Sequence, residues 1–274
     1  MNVNVKQSQA RTTRILDGKV AVITGSTSGI GLGIARQMAA AGAAIVLNGL
    51  GKPEEVSSTL SALEREFGVA AIFSPADMSD PVSIRGLIET TLDTYGRLDI
   101  LVNNAGIQHV SPIDQFPVEK WDAVLAINLS SAFHTTRLAI PVMRQQGGGR
   151  IINIASAHAL VGSPFKSAYV AAKHGIVGLT KVVALETAEH NITCNAVCPG
   201  YVWTPLVEAQ IEGQAKSHGI PREQVIRDVL LAQQAIKRFA TVDEIGALSV
   251  FLASPAAASI TGAALPVDGG WTAH

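Results

Sequence analysis

Short apolar runs alternate along the chain with longer segments of helical character. A β-branched run at 20–24 ends in a glycine cluster, and LGIARQMAAAGA then carries helix-forming residues. Further strands are predicted at 43–48, at 70–74, within DILVNNAG, GGGRIINIAS and ITCNAVCPG, and near 264–267. Further helices are predicted at 53–67, near 81–95, over about 118–146 and from about 167 to 189. Strand and helix therefore alternate through most of the chain.

This alternation predicts βαβ units with right-handed crossovers. The expected fold is a single-domain α/β fold of the Rossmann type, a doubly wound parallel sheet with helices on both faces. We expect residues 1–14 to be a flexible N-terminal extension and residues 15–274 to form the domain.

One stretch, 201–240, interrupts the alternation. It is polar and irregular in pattern, and it contains Pro205, Gly213, Gly219 and Pro221. Ligands of such sheets bind beyond the carboxyl ends of the strands, where a segment inserted before the last strand can cover them. We therefore predict a mobile substrate lid at 201–240.

Composition narrows the classes of function. The chain has 274 residues, of which 47% are apolar and 16% charged, so a large core is available. A formal net charge of −1 and the lack of a basic cluster argue against nucleic acid as a partner. No apolar run approaches the roughly 18 residues of a membrane span, and the N-terminus lacks a secretory core. We expect a cytoplasmic protein without a membrane partner. Cys194 and Cys198 are expected to be buried thiols, and no metal site is expected.

The first candidate site is the glycine-rich sequence TGSTSGIG between the first strand and the first helix. Glycines there let the backbone approach a pyrophosphate, which the N–H groups and dipole of the helix N-terminus stabilise. The position at the first βα turn favours dinucleotide binding over a turn that is merely tight. The predicted cofactor residues here are Gly25, Thr27, Ser28, Gly29, Ile30 and Gly31.

The second candidate site is Tyr169-Val-Ala-Ala-Lys173 on a predicted helix, with Ser156 at the end of the fifth strand. A spacing of four places the phenol and the ammonium on one helical face. A neighbouring positive charge is expected to lower the tyrosine pKa from its usual value near 10, which would allow proton transfer. Ser156 can hydrogen-bond the reacting oxygen. Alone, such a pair is more often a surface pair.

Taken in order, TGSTSGIG, NNAG, Asn128, Ser156, Tyr169 with Lys173, and PG at 199–200 resemble the short-chain dehydrogenase/reductase family. The likeness runs from about residue 17 to the end of the chain. It implies that Asn128, Ser156, Tyr169 and Lys173 are catalytic, that Lys173 also binds the nicotinamide ribose, and that Asn128 anchors a water relaying protons from Lys173. It extends the cofactor site to Leu50, Asp77, Asn104, Ala105, Gly106, Pro199 and Gly200.

Within that family the likeness narrows to the bacterial D-3-hydroxybutyrate dehydrogenases. It rests on LNGLG, SAHALVGSPFKSAYVAAKHG, TPLVEAQ and the ending VDGGWTAH. It implies that the substrate carboxylate is held by Gln108, His158, Lys166 and Gln210, and that Trp271 borders the methyl end of the substrate. One departure is PGYVWTP, where Tyr201 stands at a position that is often tryptophan in these enzymes and Trp203 follows.

The resulting prediction is reversible oxidation of D-3-hydroxybutyrate to acetoacetate with NAD, by a homotetramer. Two alternatives stay open. One is a reductase of another oxo compound, such as a 3-oxoacyl thioester or a sugar ketone. The other is a catalytically silent dinucleotide-binding protein. A carboxylate clamp made by Lys166 and His158 argues against the first, and an intact Tyr169 and Lys173 argues against the second.

Overall fold

The computed structural model describes residues 14–273, without the side chains at 206, 209, 210, 214, 217 and 218. Positions 1–13 of the predicted N-terminal extension lie outside the described residues. Arg14 does not belong to a free extension, because its Nη1 donates to the carbonyl of Phe67 over 2.6 Å and its Nε pairs with Asp17.

Within the described chain, seven parallel strands form one sheet in the order β3-β2-β1-β4-β5-β6-β7. They are β1 (Val20–Ile23), β2 (Ala44–Asn48), β3 (Ala71–Ser74), β4 (Ile100–Asn103), β5 (Gly149–Ile154), β6 (Ile192–Pro199) and β7 (Ala264–Val267). β1, β2, β4, β5 and β6 are almost wholly buried runs, as expected for strands covered on both faces. The Rossmann-type prediction is confirmed.

Helices cover both faces of the sheet. They are α1 (Gly29–Ala40), α2 (Pro53–Phe67), α3 (Pro81–Tyr95), α4 (Val118–Leu125), α5 (Ser131–Gln145), α6 (Ser167–Thr187), α7 (Pro205–His218), α8 (Arg222–Gln224) and α9 (Val242–Ala253). One core layer joins α1, α2 and α9 to the sheet, with Met38, Leu63 and Ile245 fully buried. The opposite layer joins α3, α5 and α6 through Leu87 and Met143.

The strand order reverses between β1 and β4, which pair directly with each other. Their carboxyl ends carry the glycine-rich turn and the Asn103-Asn104 sequence. This reversal leaves a crevice at the carboxyl edge, where ligands of open α/β sheets bind.

Two segments differ from the sequence prediction. The single helix expected over about 118–146 is interrupted by a wider, π-helical turn at Ala126–Ser130. The segment 201–240 is not irregular, because most of it is helical: α7 spans Pro205–His218 and a second π-helical turn spans Val225–Leu230. Its apolar side chains, including Val207, Ile211 and Val225, form a small core of their own. These apolar residues do not follow a clear helical period, so the sequence did not predict the helix.

One stretch, Ser167–His190, is long and apolar enough by composition to cross a membrane, with a mean hydropathy of 1.2. It contains α6, which packs on β6 and buries Ala172, Ile176 and Thr180. A helix that forms part of the domain core passes the same composition test.

Candidate active site

The glycine-rich turn fits tightly between β1 and β4. Gly25 and Gly29 have φ values of +60° and +55°, which favour glycine. A side-chain carbon at Gly25 would lie 2.8 Å from Cα of Ala105, and one at Gly31 would collide with the carbonyl oxygen of Gly25. The glycines therefore let helix α1 start directly against the neighbouring loop.

The NNAG loop fixes this turn by hydrogen bonds. The backbone N–H groups of Asn104 and Ala105 both donate to Thr24 Oγ1 over 3.0 Å. Asn104 Nδ2 donates to the carbonyls of Thr24 and Gly25 over 2.9 and 2.8 Å. On the other side of the turn, the N–H groups of Gly25 and Ser26 donate to Asn48, so the turn is fixed from both sides.

The start of α1 suits a pyrophosphate. Its N-cap, Ser28, makes no side-chain capping bond, and its first turn contains no acidic residue. Unpaired N–H groups and the positive end of the helix dipole therefore meet a ligand without a competing carboxylate. These features fit a dinucleotide.

Two cavities continue from this turn along β2. An apolar one of about 440 Å³ is lined by Leu50, Val56 and Phe73 among others. A second, of about 210 Å³, is lined by Thr27, Ser28 and Leu50, and also by Glu55 from the first turn of α2. Glu55 was not among the predicted cofactor residues; the end of β2 carries Asn48 and no acid. That asparagine is buried and bonds to Gly25, Ser74 and Ala76.

Asp77, expected at the adenine, is exposed beyond β3. Its Oδ1 accepts hydrogen bonds from the backbone N–H and the hydroxyl of Ser79, both over 2.8 Å. It does not line the apolar cavity around Leu50. The carboxylate thus forms a local turn with Ser79, and its contact with the adenine stays a prediction.

The predicted proton-transfer residues come together at the carboxyl ends of β5 and β6. Ser156 follows β5 and is buried, while Tyr169 and Lys173 lie on α6. Lys173 Nζ lies 5.6 Å from the centre of the Tyr169 ring and donates to the carbonyl of Ile154 over 2.8 Å. Ser156 and Tyr169 line the same cavity, and the Ser156 hydroxyl acts to lower the Tyr169 pKa. Phenol, hydroxyl and ammonium form one cluster.

The pKa of Tyr169 differs in direction from the sequence prediction. Burial raises the pKa of Tyr169, and the hydrogen bond from Ser156 only partly opposes this rise. Burial lowers the pKa of Lys173 to about 8. The sequence prediction assumed that Lys173 carries a fixed, solvated charge. In the fold Lys173 is desolvated, and its ammonium donates to the Ile154 carbonyl, so burial opposes the expected fall of the Tyr169 pKa.

Asn128 lies in the π-helical turn between α4 and α5 and is buried. Its Oδ1 accepts from the backbone N–H of Ile107 over 2.8 Å, and its Nδ2 donates to the Ile107 carbonyl over 2.9 Å. The side chain therefore holds the loop that follows NNAG. Wide turns of this kind recur at functional sites in helices.

A cavity of about 220 Å³ opens beside this cluster. Ser156 and Tyr169 line it together with Gln108, His158, Lys166 and Trp271. Ile30, Gly200, Tyr201, Val202, Thr204 and Val207 complete the lining. The side chain of Gln210 lies outside the described residues, although its backbone belongs to α7.

The polar side of this cavity is cationic. Burial, together with the charge of Lys166, lowers the pKa of His158 to about 4, so the imidazole is neutral at pH 7. Burial also lowers the pKa of Lys166. A substrate carboxylate bound beside these two residues would pair with the Lys166 ammonium and accept a hydrogen bond from the His158 imidazole.

Aromatic rings line the cavity beside His158. The Trp271 ring stacks on the Tyr201 ring with centres 6.1 Å apart and an angle of 5°. It also meets the edge of His158 at 5.0 Å. The sequence analysis noted Tyr201 only as a departure from the related enzymes and did not predict it to line the site. The signal that could have shown it is an aromatic residue directly after Pro199-Gly200. Trp203 lies outside the cavity, against Phe239 and below the guanidinium of Arg222.

Comparison with known proteins agrees with this architecture. A family model described as Enoyl-(Acyl carrier protein) reductase matches residues 25–272. A D-beta-hydroxybutyrate dehydrogenase of Rhizobium meliloti is 57% identical over 93% of this chain and 99% of its own length. Another, from Cupriavidus necator, is 54% identical over 95% and 100%. The crystal structure of an L-sorbose reductase from Gluconobacter frateurii, complexed with NADPH and L-sorbose, has a TM-score of 0.90 at 34% identity, covering 94% of this chain and 98% of that one. The chain belongs to the short-chain dehydrogenase/reductase family.

Proposed function

We propose that this protein oxidises D-3-hydroxybutyrate reversibly to acetoacetate with NAD. It is an oxidoreductase of the short-chain family, and the family and fold imply a nicotinamide dinucleotide cofactor. The observation that carries the narrower proposal is the cavity in which Lys166 and His158 face the same space as Ser156 and Tyr169. Two relatives above 50% identity carry the name of this activity.

Ser156, Tyr169 and Lys173 each have a separate role in the proposed reaction. The bound nicotinamide would accept the hydride that leaves the carbinol carbon. Ser156 holds the substrate oxygen by a hydrogen bond, and Tyr169, as a phenolate, takes its proton. In the reverse direction the Tyr169 phenol returns that proton to the oxygen. Lys173 stabilises the phenolate by its charge, which offsets the unfavourable desolvation that raises the Tyr169 pKa.

Substrate selection rests on the carboxylate. Its negative charge lies two carbons from the reacting centre, and moving it out of water is costly unless donors replace its hydration. Lys166 supplies the charge, and neutral His158 and Gln108 supply hydrogen bonds. Trp271 and Tyr201 close the apolar side around the methyl end. We place Gln210 with the clamp when 201–240 covers the site.

A competing function is reduction of a sugar ketone or a 3-oxoacyl thioester. The similarity to an L-sorbose reductase speaks for the first of these. Neither substrate brings a small carboxylate to the position of Lys166, so either would leave a desolvated ammonium without an opposite charge.

The test is the purified enzyme with NAD or NADP and five substrates: D- and L-3-hydroxybutyrate, lactate, malate and a 3-hydroxyacyl thioester. We expect the highest kcat/KM for D-3-hydroxybutyrate with NAD. A preference for the thioester, or for a sugar alcohol added to the panel, would replace the proposed substrate. Absence of turnover with every substrate would favour the silent dinucleotide-binding protein.

We further propose that the enzyme works in the cytoplasm as a homotetramer on this small hydroxy acid, without a nucleic-acid or membrane partner.

A further inference from the structure

A second polar cavity lies at the opposite edge of the sheet from the active site. The strands are parallel, so their amino ends meet at one edge: Lys19 precedes β1, Asp99 precedes β4, and Arg150 lies in β5. The backbone N–H of Arg150 donates to the Asp99 carbonyl over 2.9 Å, which fixes the two residues side by side. With Arg97 they line a cavity of about 180 Å³.

The charges that line this cavity do not balance. Lys19, Arg97 and Arg150 provide three cations, and among the described lining residues Asp99 provides the carboxylate. Asp99 already accepts four hydrogen bonds. Two come from Arg97 Nε and Nη2 over 2.7 Å each, one from Lys19 Nζ over 3.2 Å, and one from the backbone N–H of Val20 over 3.0 Å. It has little capacity left for Arg150.

Of the three cations that line the cavity, Arg150 is the one that pairs with no carboxylate among residues 14–273. Its Nη1 donates to the carbonyls of Gly149 and Asn191 over 2.8 and 2.9 Å. Its Nε is buried and, within residues 14–273, has no hydrogen-bond partner. Burial lowers the pKa of this guanidinium, because no negative charge offsets its desolvation. A partly desolvated charge without an opposite charge is unfavourable, and an anion is the group that would relieve it.

We propose that this cavity binds a small polyvalent oxyanion, of which inorganic phosphate is the type. Two guanidinium groups and an ammonium around one space match the donors that bind phosphate oxygens. The space is large enough for a single such group but not for a dinucleotide. The site is independent of the proposed substrate, and it joins the amino ends of three strands, so its occupancy is expected to stabilise the fold without changing turnover.

Thermal unfolding in inorganic phosphate against chloride at matched ionic strength tests this proposal. Saturating nicotinamide cofactor is present, so that the glycine-rich turn does not take up the anion. We expect a saturable rise of a few degrees in Tm for the natural sequence, and a loss of most of this rise in Arg150→Gln. Lys19→Gln, which alters a half-exposed side chain, should weaken phosphate binding several-fold and serves if Arg150→Gln does not fold.

Lys166→Ala is the control for anion binding in the active site, and its phosphate effect should equal that of the natural sequence. The proposal is overturned if phosphate gives no saturable rise, or if the rise is undiminished in both Arg150→Gln and Lys19→Gln. It is also overturned if the rise disappears in Lys166→Ala, because the anion would then be in the substrate cavity.

Discussion

Burial affects Tyr169 and Lys173 in opposite ways, and this decides how proton transfer is to be understood. The phenol pKa is raised and the ammonium pKa is lowered to about 8, so desolvation favours the neutral form of each. The spacing of four predicted their shared helical face, which the structure bears out. The spacing alone could not predict the directions of the two pKa shifts, because these depend on how β5 and β6 pack around the pair.

The first prediction concerns Tyr169→Phe. The substitution removes the transferable proton and almost no volume, so turnover should fall by several orders of magnitude while cofactor affinity stays nearly unchanged. Steady-state kinetics and cofactor titration measure both. A kcat above about a tenth of the original, a barrier change below about 1.4 kcal/mol, would remove Tyr169 from its role.

The second prediction concerns His158 and acid stability. The folded-state pKa of about 4 lies below the ordinary value of 6.5. Between these values the unfolded chain binds a proton that the folded protein does not, so stability falls as pH drops from 6.5 to 4. The loss amounts to at most about 3 kcal/mol. Denaturant unfolding at pH 7 and 4.5 should show a smaller loss in His158→Gln.

Exposed His190→Gln is the control and should keep the full pH dependence. Carboxylates with a lowered pKa, such as Asp99, also reduce the stability of the protein when acid protonates them. The difference between the two variants is therefore the informative quantity. Equal slopes in both would mean that His158 is protonated freely in the folded protein.

At the scale of elements, the βαβ unit from β1 to α2 is where we expect the choice between NAD and NADP to be made. β2 ends in Asn48, and its side chain is used up by the glycine-rich turn and the loop after β3. Glu55 on α2 lines the cavity beside the glycine-rich turn, and Lys52 Nζ lies 3.9 Å from its carboxylate. We expect a carboxylate in this cavity to disfavour the 2′-phosphate of NADP. Sequence reasoning could place the turn but not Glu55, since the angle of α2 relative to β2 is set by tertiary packing.

The third prediction follows from this arrangement. The enzyme should prefer NAD to NADP in kcat/KM, and Glu55→Gln should raise the value for NADP by several-fold while changing that for NAD little. Glu54→Gln, one residue earlier on the same helix turn, is the matched control. A natural preference for NADP would contradict the cofactor assignment, and equal effects of the two substitutions would remove Glu55 from it.

The elements around the substrate cavity show where sequence patterns fail. Strand positions, α3 and α6 follow clear periodicities, and the structure has them within a few residues of the predicted bounds. The π-helical turn at Ala126–Ser130 leaves no mark in hydrophobic periodicity, because it adds one residue to a helix that otherwise continues. Segment 201–240 contains the helix α7. Its movement as a lid over the substrate stays a prediction.

At the scale of the whole molecule, α6 presents an apolar outward face. Leu185 is 83% exposed and Val182 52% exposed, three positions apart on one side of the helix, and Phe133 on α5 is 48% exposed. Exposed apolar patches of this kind are usually covered by another protein surface. Together with the buried residues of α6, these side chains contribute to the mean hydropathy of 1.2 in this stretch.

The fourth prediction is that the protein is a homotetramer of two-fold symmetry. Light scattering should give four times the mass of the chain, and Leu185→Glu should reduce the assembled mass. Glu186→Gln, at the neighbouring exposed position, should leave it unchanged. A natural protein that is monomeric at micromolar concentration would contradict the assembly, and unaltered mass in Leu185→Glu would place the interface elsewhere.

The central claim is that Lys166 recognises a substrate carboxylate, and Lys166→Ala tests it most directly. Kinetics are measured with D-3-hydroxybutyrate and with an uncharged secondary alcohol of similar size, beside Lys181→Ala, which removes an exposed lysine from α6. We predict a loss of about 2–4 kcal/mol in kcat/KM for the hydroxy acid, little change for the alcohol, and unchanged cofactor binding. Equal losses for both substrates would make Lys166 structural, and no loss for either would contradict the carboxylate clamp.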